Sequence, residues 1–439
     1  MGERRVASRP VTLREQMIEL GRQARAASRA LAGLTSAEKD ACLNAMADGL
    51  LALAPVLMEA NARDLEVGRS LGLSGAMMDR LALNPERIAT MARGLREVAA
   101  LPDPVGRQLD ERVRPNGLRL VKVAVPIGVI VIIYESRPNV TAEAASLCFK
   151  TGNATILRGG KEAMNSNRLI AETLVAAGRR VLGDRFPAHA IQVVATSDRE
   201  AVPELLALTE YIDLCMPRGG ESLIRAVTAS SRVPVIKHYK GVCHVYVDGA
   251  ADLKMAGEIV FNAKCQRPST CNAAETLLVD RSVAARFLPA TAARLASKNV
   301  EFHVDAASEP LIRQGLAESD NVVRLATDAD YSTEYNDYVI NVRVVDGVGE
   351  AIQHIARFGS AHSDSIVTAD AGVADRFLRE VDSAAVYWNA STRFTDGYEY
   401  GMGAEIGIST DKIGARGPMG LEELCSYKWL GYGQGQVRG

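Results

Sequence analysis

Short apolar runs alternate with longer amphipathic segments between residues 128 and 230, and this alternation constrains the fold more than any other feature. The apolar runs predict buried strands at Val129–Tyr134, 154–157, 190–195 and 212–216. The segments between them have helical spacing at 140–150, at 167–182, at 199–208 and from Glu221 onward. Such alternation predicts a parallel, doubly wound sheet, and sheets of this kind bind nucleotides at the carboxyl ends of their strands.

Helices are predicted before this region. Thr35 and Glu38 have the spacing of a capping box, and Asn84-Pro85 predicts a helix that begins there and runs to about residue 99. Asn116-Gly117 predicts a tight hairpin turn. Residues 1–10 are basic and end in proline, which indicates a mobile leader.

Composition excludes several classes of protein. The chain has 439 residues and a formal net charge of -2, so nothing in its charge favours nucleic acid as a partner. The most apolar run is interrupted by Pro126 and Gly128 and is too short to span a membrane. The seven cysteines include no CxxC pair and no signal peptide is evident, which predicts a reduced, cytoplasmic protein. The six histidines are scattered and indicate no metal site.

The same tripeptide follows two of the predicted strands. Arg158-Gly159-Gly160 ends one of them and Arg218-Gly219-Gly220 ends another. Glycines at such ends let a phosphate approach the backbone, and the following helix presents unpaired N–H groups to it. Gly-Gly is also common in ordinary turns, and no GxGxxG motif is present. The pair therefore marks candidate cofactor-binding residues.

One stretch, FNAKCQRPSTCNAAETLLV at residues 261–279, contains two cysteines. Cys271 lies among small polar residues, directly before an apolar run that predicts a buried strand. A cysteine at such a junction is accessible to substrate, and an accessible thiolate attacks carbonyl carbon. Cys271 is the candidate nucleophile, and Cys265 lies upstream of the motif.

The segments QRPSTCN, NASTRFTDG and ARGPMGLEEL together resemble the aldehyde dehydrogenase superfamily, and within it the gamma-glutamyl phosphate reductases. The resemblance extends from about residue 12 to residue 432. It implies an α/β, aldehyde dehydrogenase-like fold with a Rossmann-type cofactor domain, an α/β catalytic domain and a small oligomerisation hairpin. The domains implied are 1–106 with 126–240 for NADPH, 241–405 for catalysis, and 107–125 with 406–439 for oligomerisation.

The resemblance also implies roles for individual residues. The backbone N–H of Cys271 and the side chain of Asn139 would form the oxyanion hole. Arg137 and Arg267 would bind the leaving phosphate or the substrate carboxylate. Glu334 would hold the nicotinamide ribose. The polar loop after residue 388 suits the amino and carboxylate groups of an amino acid, through Asn389, Arg393, Thr395 and Asp396.

Cofactor choice depends on Lys161. NAD-using relatives have a glutamate at this point, which hydrogen-bonds the adenosine ribose. A lysine attracts a 2′-phosphate where a carboxylate repels it, so the segment Arg158 to Lys161 favours NADPH.

The implied reaction is the reduction of L-glutamyl 5-phosphate to L-glutamate 5-semialdehyde through a Cys271 thioester, the second step of proline biosynthesis. His238 occupies the place of the general-base glutamate of hydrolytic relatives, and we expect it to point away from Cys271 or to be held by a hydrogen bond. A homo-oligomer is implied, dimer or tetramer, and a glutamate kinase partner is left open. The alternatives are a CoA-acylating aldehyde dehydrogenase and a non-catalytic relative.

Overall fold

A computed structural model describes residues 11–316 and 319–438 of the chain, which folds as two compact units. The first unit comprises Met1–Ile236, Met402–Gly407 and Met419–Gly439, and the second comprises Lys237–Gly401 and Ile408–Pro418. The predicted leader, residues 1–10, lies outside the described residues.

The first unit begins with helices whose caps are encoded locally. They are α1 (Leu13–Leu31), α2 (Ser36–Ala52), α3 (Ala54–Ser70), α4 (Gly75–Leu81) and α5 (Pro85–Ala100). The predicted capping box before α2 is confirmed, since Thr35 and Glu38 bond each other's backbone N–H groups. The Asn84 side chain caps α5, as its sequence predicts. No single helix in the described ranges is long and apolar enough to cross a membrane, although α2 and α3, bent by 68°, pass that test as a pair.

A hairpin follows these helices. Strands β1 (Gln108–Val113) and β2 (Arg119–Pro126) pair antiparallel. The predicted turn is confirmed, and Gly117 has the positive φ of 84° that favours glycine.

A parallel four-stranded sheet forms the centre of the first unit. Its strands are β3 (Val129–Tyr134), β4 (Ala154–Arg158), β5 (Ile191–Val193) and β6 (Leu214–Arg218). The intervening helices are α6 (Pro138–Lys150), α7 (Met164–Leu182), α8 (Ala201–Leu206) and α9 (Glu221–Ser230). The strand order is β5-β4-β3-β6. Strands β4 and β5 are therefore added on one side of β3, and β6 is added on the other side. The predicted doubly wound sheet is therefore confirmed, and its switch point lies between β3 and β6.

The second unit contains a parallel seven-stranded sheet of order β10-β9-β11-β8-β7-β12-β13. The strands are β7 (Cys243–Val247), β8 (Ala274–Asp280), β9 (Glu301–Val304), β10 (Val323–Leu325), β11 (Val339–Val345), β12 (Ser363–Val367) and β13 (Ala385–Trp388). The helices are α10 (Leu253–Cys265), α11 (Arg281–Ala296), α12 (Glu309–Gly315), α13 (Asp328–Tyr331), α14 (Gly347–Phe358) and α15 (Ala371–Glu380). The central strands β7, β8 and β12 are buried almost throughout, which is typical of parallel sheets with both faces covered.

The last strands are β14 (Gly407–Ser409), β15 (Gly417–Met419) and β16 (Cys425–Tyr432). β16 pairs antiparallel with β2 over its whole length, from Cys425 opposite Pro126 to Tyr432 opposite Arg119. Trp429 and its neighbours therefore belong to a strand beside the chain's own hairpin.

Candidate active site

Three neighbouring strands of the second unit bring their amino ends together. His238 precedes β7, Cys271 precedes β8 and His362 directly precedes β12. One nitrogen from each histidine and the sulfur of Cys271 all lie within 4.8 Å of one another. Two of the scattered histidines thus meet the candidate nucleophile, so the expectation that histidines form no ligand cluster is wrong here.

A tight turn presents Cys271. The Thr270 hydroxyl donates to the backbone oxygen of Arg267 at 2.9 Å, and the Ala273 N–H donates to that of Thr270 at 3.0 Å. Gly241 packs against the turn so closely that a β-carbon there would lie 1.7 Å from the Cys271 oxygen. Sequence reasoning missed Gly241, because a lone glycine before a strand gives no sign of what it touches.

Cys271 is half-buried, whereas Cys265 is buried at the end of α10. Burial raises the pKa of the Cys42 and Cys265 thiols to about 11, and that of Cys148 and Cys425 to about 12. Burial also raises the pKa of Cys215 and of Cys243 well above its ordinary value. At neutral pH these six thiols stay protonated, which leaves Cys271 as the candidate for a thiolate.

Asn272 connects the cysteine turn to the polar loop after β13. Its amide donates to the backbone oxygen of Thr395 at 2.9 Å, and its side-chain oxygen accepts a hydrogen bond from Arg393. Burial, followed by the charge of Arg267, lowers the pKa of Arg393, yet an arginine remains charged. The turn that carries Cys271 therefore includes Arg267 and is hydrogen-bonded to Arg393 and Thr395, and the binding of substrate by these three residues stays a prediction.

Two residues of the same loop are placed differently. Asn389 accepts from the Thr368 N–H at 3.0 Å and donates to the Thr368 oxygen at 3.0 Å. Both residues follow the carboxyl ends of their strands. Asn389 therefore lies at the carboxyl end of the sheet, whereas Cys271 lies at the amino end. The Asp396 carboxylate is used within the loop, where it accepts from the Tyr398 N–H at 2.9 Å.

His238 is held by a hydrogen bond. Its Nδ1 lies 2.8 Å from the Ile408 backbone oxygen, and because a carbonyl only accepts, Nδ1 carries the proton. The expectation of a hydrogen-bonded His238 is confirmed, and the alternative that it points away from Cys271 is wrong.

His362 is fully buried. Its Nδ1 lies 2.8 Å from the Ser363 hydroxyl, which itself donates to Thr395 at 2.7 Å. Burial and the neighbouring His238 lower the pKa of His362 to about 3, so the ring is neutral at physiological pH. A neutral ring supplies no positive charge to stabilise a thiolate.

The predicted Glu334 lies half-buried in the segment between α13 and β11. Asn336 in that segment donates its N–H to Glu275 at 3.4 Å, and Glu275 forms a fully buried pair with Lys264 at 2.8 Å. Burial raises the pKa of Glu275 to about 7. Glu275, held by Lys264, therefore connects the segment that contains Glu334 to β8, the strand that follows Cys271.

A pocket of about 520 Å³ lies in the first unit at the carboxyl ends of its strands. Its lining includes the predicted residues Arg158, Gly160 and Lys161, and the unpredicted Arg199. These three cations lie at or after the carboxyl ends of strands β4 and β5, and although Glu135 and Glu162 also line the pocket, the cations suit an anionic dinucleotide. The buried Nε of Arg158, one of the lining residues, has no hydrogen-bond partner among the described residues.

The other predicted glycines have different surroundings. A β-carbon on Gly159 would lie 2.1 Å from the Asn167 amide, so packing within the protein already requires glycine there. One on Gly219 would lie 2.7 Å from Glu135, whereas Gly220 faces open space. The Arg218 guanidinium packs against Gly407. None of Gly159, Arg218, Gly219 and Gly220 lines the 520 Å³ pocket.

Arg137 and Asn139 lie at the amino end of α6. Arg137 is the capping residue and Asn139 is in the first turn, and both are exposed. Backbone N–H groups at this end of a helix attract anions, and the oxyanion role of Asn139 and the phosphate or carboxylate role of Arg137 stay predictions.

The sequence model described as "Aldehyde dehydrogenase family" matches residues 2–330. The chain belongs to the aldehyde dehydrogenase family. It is 52% identical over 422 residues to the gamma-glutamyl phosphate reductase of Paramagnetospirillum magneticum, with 96% of this chain and 97% of that protein covered. The enzyme of the same name from Opitutus terrae is 54% identical, with coverages of 95% and 97%.

Solved structures agree. The crystal structure of gamma-glutamyl phosphate reductase from Thermotoga maritima superposes with a TM-score of 0.92 at 43% identity, covering 96% of this chain and all of that one. The predicted family, the aldehyde dehydrogenase-like α/β fold and the oxidoreductase class are thereby confirmed. Aldehyde dehydrogenases use NAD or NADP, so a nicotinamide dinucleotide is the cofactor class.

Proposed function

We propose that this aldehyde dehydrogenase reduces L-glutamyl 5-phosphate to L-glutamate 5-semialdehyde, with NADPH as reductant and phosphate as the second product. The name shared by the relatives from Paramagnetospirillum, Opitutus and Thermotoga supports this substrate. The observation that carries the proposal is the setting of Cys271. It lies in a tight turn whose next residue, Asn272, accepts a hydrogen bond from Arg393, while burial keeps the other six thiols protonated.

The first half of the reaction is acyl transfer. The Cys271 thiolate attacks the γ-carbonyl, the C–S bond forms, and the C–O bond to phosphate breaks with the electron pair leaving on phosphate. The backbone N–H of Cys271 stabilises the oxyanion. Arg267 and Arg393 are placed to bind the phosphate or carboxylate of the substrate, because guanidinium groups bind both bidentately.

The second half is reduction of the thioester. The bound cofactor supplies hydride. The carbon–sulfur bond then breaks, Cys271 regains its thiolate, and the aldehyde leaves. Glu334 orients the nicotinamide ribose in this proposal, and the buried Lys264–Glu275 pair steadies its segment.

NADPH is the proposed cofactor because of the charges in the first unit's pocket. A 2′-phosphate carries up to two negative charges, and Arg158, Lys161 and Arg199 line a pocket of about 520 Å³ that suits the adenosine end. Lys161 is exposed, so it can reach a phosphate without losing a partner inside the protein.

Phosphate, rather than water, is the proposed acceptor of the acyl group in the oxidative direction. Thioester hydrolysis is fast only when a base takes a proton from water. The place of the general-base glutamate is taken by His238 and not by a carboxylate, and the neighbouring His362 is a weak base because burial lowers its pKa to about 3.

The test is oxidation of glutamate semialdehyde with NADP in phosphate-free buffer. The wild type should turn over only with phosphate or arsenate, and His238→Glu should gain slow turnover without either. His189→Glu, at an exposed histidine of the first unit, is the matched control. Substantial phosphate-free turnover by the wild type would contradict the proposal, and a requirement for coenzyme A would favour the CoA-acylating alternative.

The same proposal includes a cytoplasmic homo-oligomer assembled through the β1–β2 hairpin. Leu109, Val113 and Trp429 are exposed on the sheet formed by β1, β2 and β16. Exposed apolar side chains on such a small sheet are typical of an interface. Sedimentation of a Trp429→Lys variant tests this, since a wild-type mass would contradict it.

A further inference from the structure

The amino ends of β7, β8 and β12 gather a set of groups that the proposed reaction does not explain. Acyl transfer requires the Cys271 sulfur, but it requires neither of the two imidazoles. A nitrogen of His238, a nitrogen of His362 and the Cys271 sulfur lie within 4.8 Å of one another. One thiolate and two imidazoles are ligands typical of Zn²⁺ and related borderline metals, and hard ions such as Mg²⁺ avoid them.

The surrounding hydrogen bonds prepare both rings for a metal. His238 donates its Nδ1 proton to the Ile408 oxygen, which places the lone pair on Nε2. Ser363 donates to Thr395, so it accepts the Nδ1 proton of His362, and the lone pair of that ring is also on Nε2. Ring N–H groups held by oxygen acceptors are the usual outer shell of metal-binding histidines.

A buried nitrogen of His362 also supports a ligand site, independently of the distances within the cluster. The Nε2 of His362 is buried and has no hydrogen-bond partner among the described residues. Such an atom carries a desolvation cost that a bound ligand removes. His362 is also fully buried, so bulk water does not compensate for it.

We propose that His238, Cys271 and His362 form a reversible site for one thiophilic divalent metal ion, and that an ion bound there blocks the nucleophile. Zn–S and Zn–N bonds of about 2.3 and 2.0–2.1 Å place tetrahedral ligand atoms about 3.3–3.6 Å apart. The three side chains therefore close by about an ångström, and the fourth position is left for water or a substrate oxygen. Binding releases the proton of Cys271 to solvent, since only the thiolate binds the metal.

The block on activity rests on the proposed role of Cys271, but metal binding does not. The experiment therefore measures binding directly, by titrating the reduced protein with Co²⁺ and following thiolate-to-cobalt charge-transfer absorption, with Zn²⁺ as competitor. We expect one ion per chain. Micromolar Zn²⁺ should inhibit turnover, a chelator should restore it, and Mg²⁺ should do neither.

Matched variants decide the assignment. Cys271→Ser should abolish the absorption band, and His238→Gln and His362→Gln should each weaken Co²⁺ binding by more than about tenfold. Cys265→Ser and His189→Gln should bind as the wild type does. His238→Gln is the safer variant, because His238 is only half-buried and His362 is fully buried. Unchanged affinity in the histidine variants, or no absorption band in the wild type, would overturn the proposal even if the reductase activity is confirmed.

Discussion

Gly241 packs directly against the backbone of Cys271, because a β-carbon on Gly241 would lie 1.7 Å from the Cys271 backbone oxygen. Gly241→Ala must therefore displace the turn that carries the sulfur. An ångström of misplacement at a reacting atom costs about 100-fold in rate. We expect kcat to fall by about that factor, as measured by steady-state kinetics.

Gly257→Ala is the matched control for this change. Gly257 lies in α10 with nothing within 4 Å of the added carbon, and alanine stabilises a helix interior by about 0.5–1 kcal/mol. It should keep wild-type activity. Equal losses in both variants would show that the effect is not local to Cys271.

Cys271→Ser should abolish turnover, because a serine hydroxyl ionises far less readily than a thiol and is a much weaker nucleophile at neutral pH. Cys265→Ser should keep most of it, since burial raises the pKa of Cys265 to about 11 and keeps that thiol protonated. Single-site alkylation followed by mass spectrometry checks the same point. Loss of activity in the Cys265 variant alone would reverse the assignment.

Lys161→Glu should shift the kcat/KM ratio for NADPH over NADH by tenfold or more. A charge-assisted hydrogen bond to the 2′-phosphate contributes about 1.5–3 kcal/mol, and the new carboxylate repels that phosphate. Lys254→Glu, at an exposed position in the first turn of α10, tests whether a change of net charge alone has this effect. If the ratio stays unchanged in Lys161→Glu, Arg158 and Arg199 bind the phosphate without it.

The stability of the second unit should fall on acidification because of His354. Burial lowers the pKa of His354 to about 2, and neither ring nitrogen has a hydrogen-bond partner among the described residues. The unfolded chain binds a proton near pH 6.5 and the folded chain does not, so the stabilisation is present above pH 6.5 and is lost as the pH falls below it.

Between pH 7 and pH 5 this single group should lower the free energy of unfolding by about 2 kcal/mol. Urea unfolding of wild type and His354→Gln at both pH values measures the difference. The variant should lose correspondingly less stability on acidification, whatever its stability at pH 7. Parallel pH dependence in the two proteins would rule out His354 as the source.

Local signals in the sequence predicted much of the fold. The capping box at Thr35, the turn at Gly117 and the alternation after residue 128 each depend on neighbours in the chain, and each is confirmed. The predicted bounds of the helices and strands were less accurate. The strand predicted at 190–195 is shorter, Ile191–Val193, because only these residues pair with β4.

The site was harder to predict because it depends on strand order. That Cys271 meets His362 follows only from β8, β7 and β12 being neighbours, which no local pattern encodes. Strand order also explains why the prediction for Asn389 differs from the structure. Asn389 shares a loop with Arg393 in the sequence, but it lies at the carboxyl end of the sheet and Arg393 lies near the amino end. Family resemblance supplied Cys271 and Lys161, whereas Gly241 and Arg199 became evident only from contacts in space.

The pairing of β16 with β2 also determines when the hairpin can be completed during synthesis. The ribosome makes β1 and β2 long before their third strand, Cys425–Tyr432, because most of both units lies between them in the chain. A two-stranded hairpin is marginally stable in water, and an unpaired strand edge recruits other chains. Until β16 emerges, each nascent chain therefore carries an open β2 edge, and a chain truncated before residue 425 would carry it permanently.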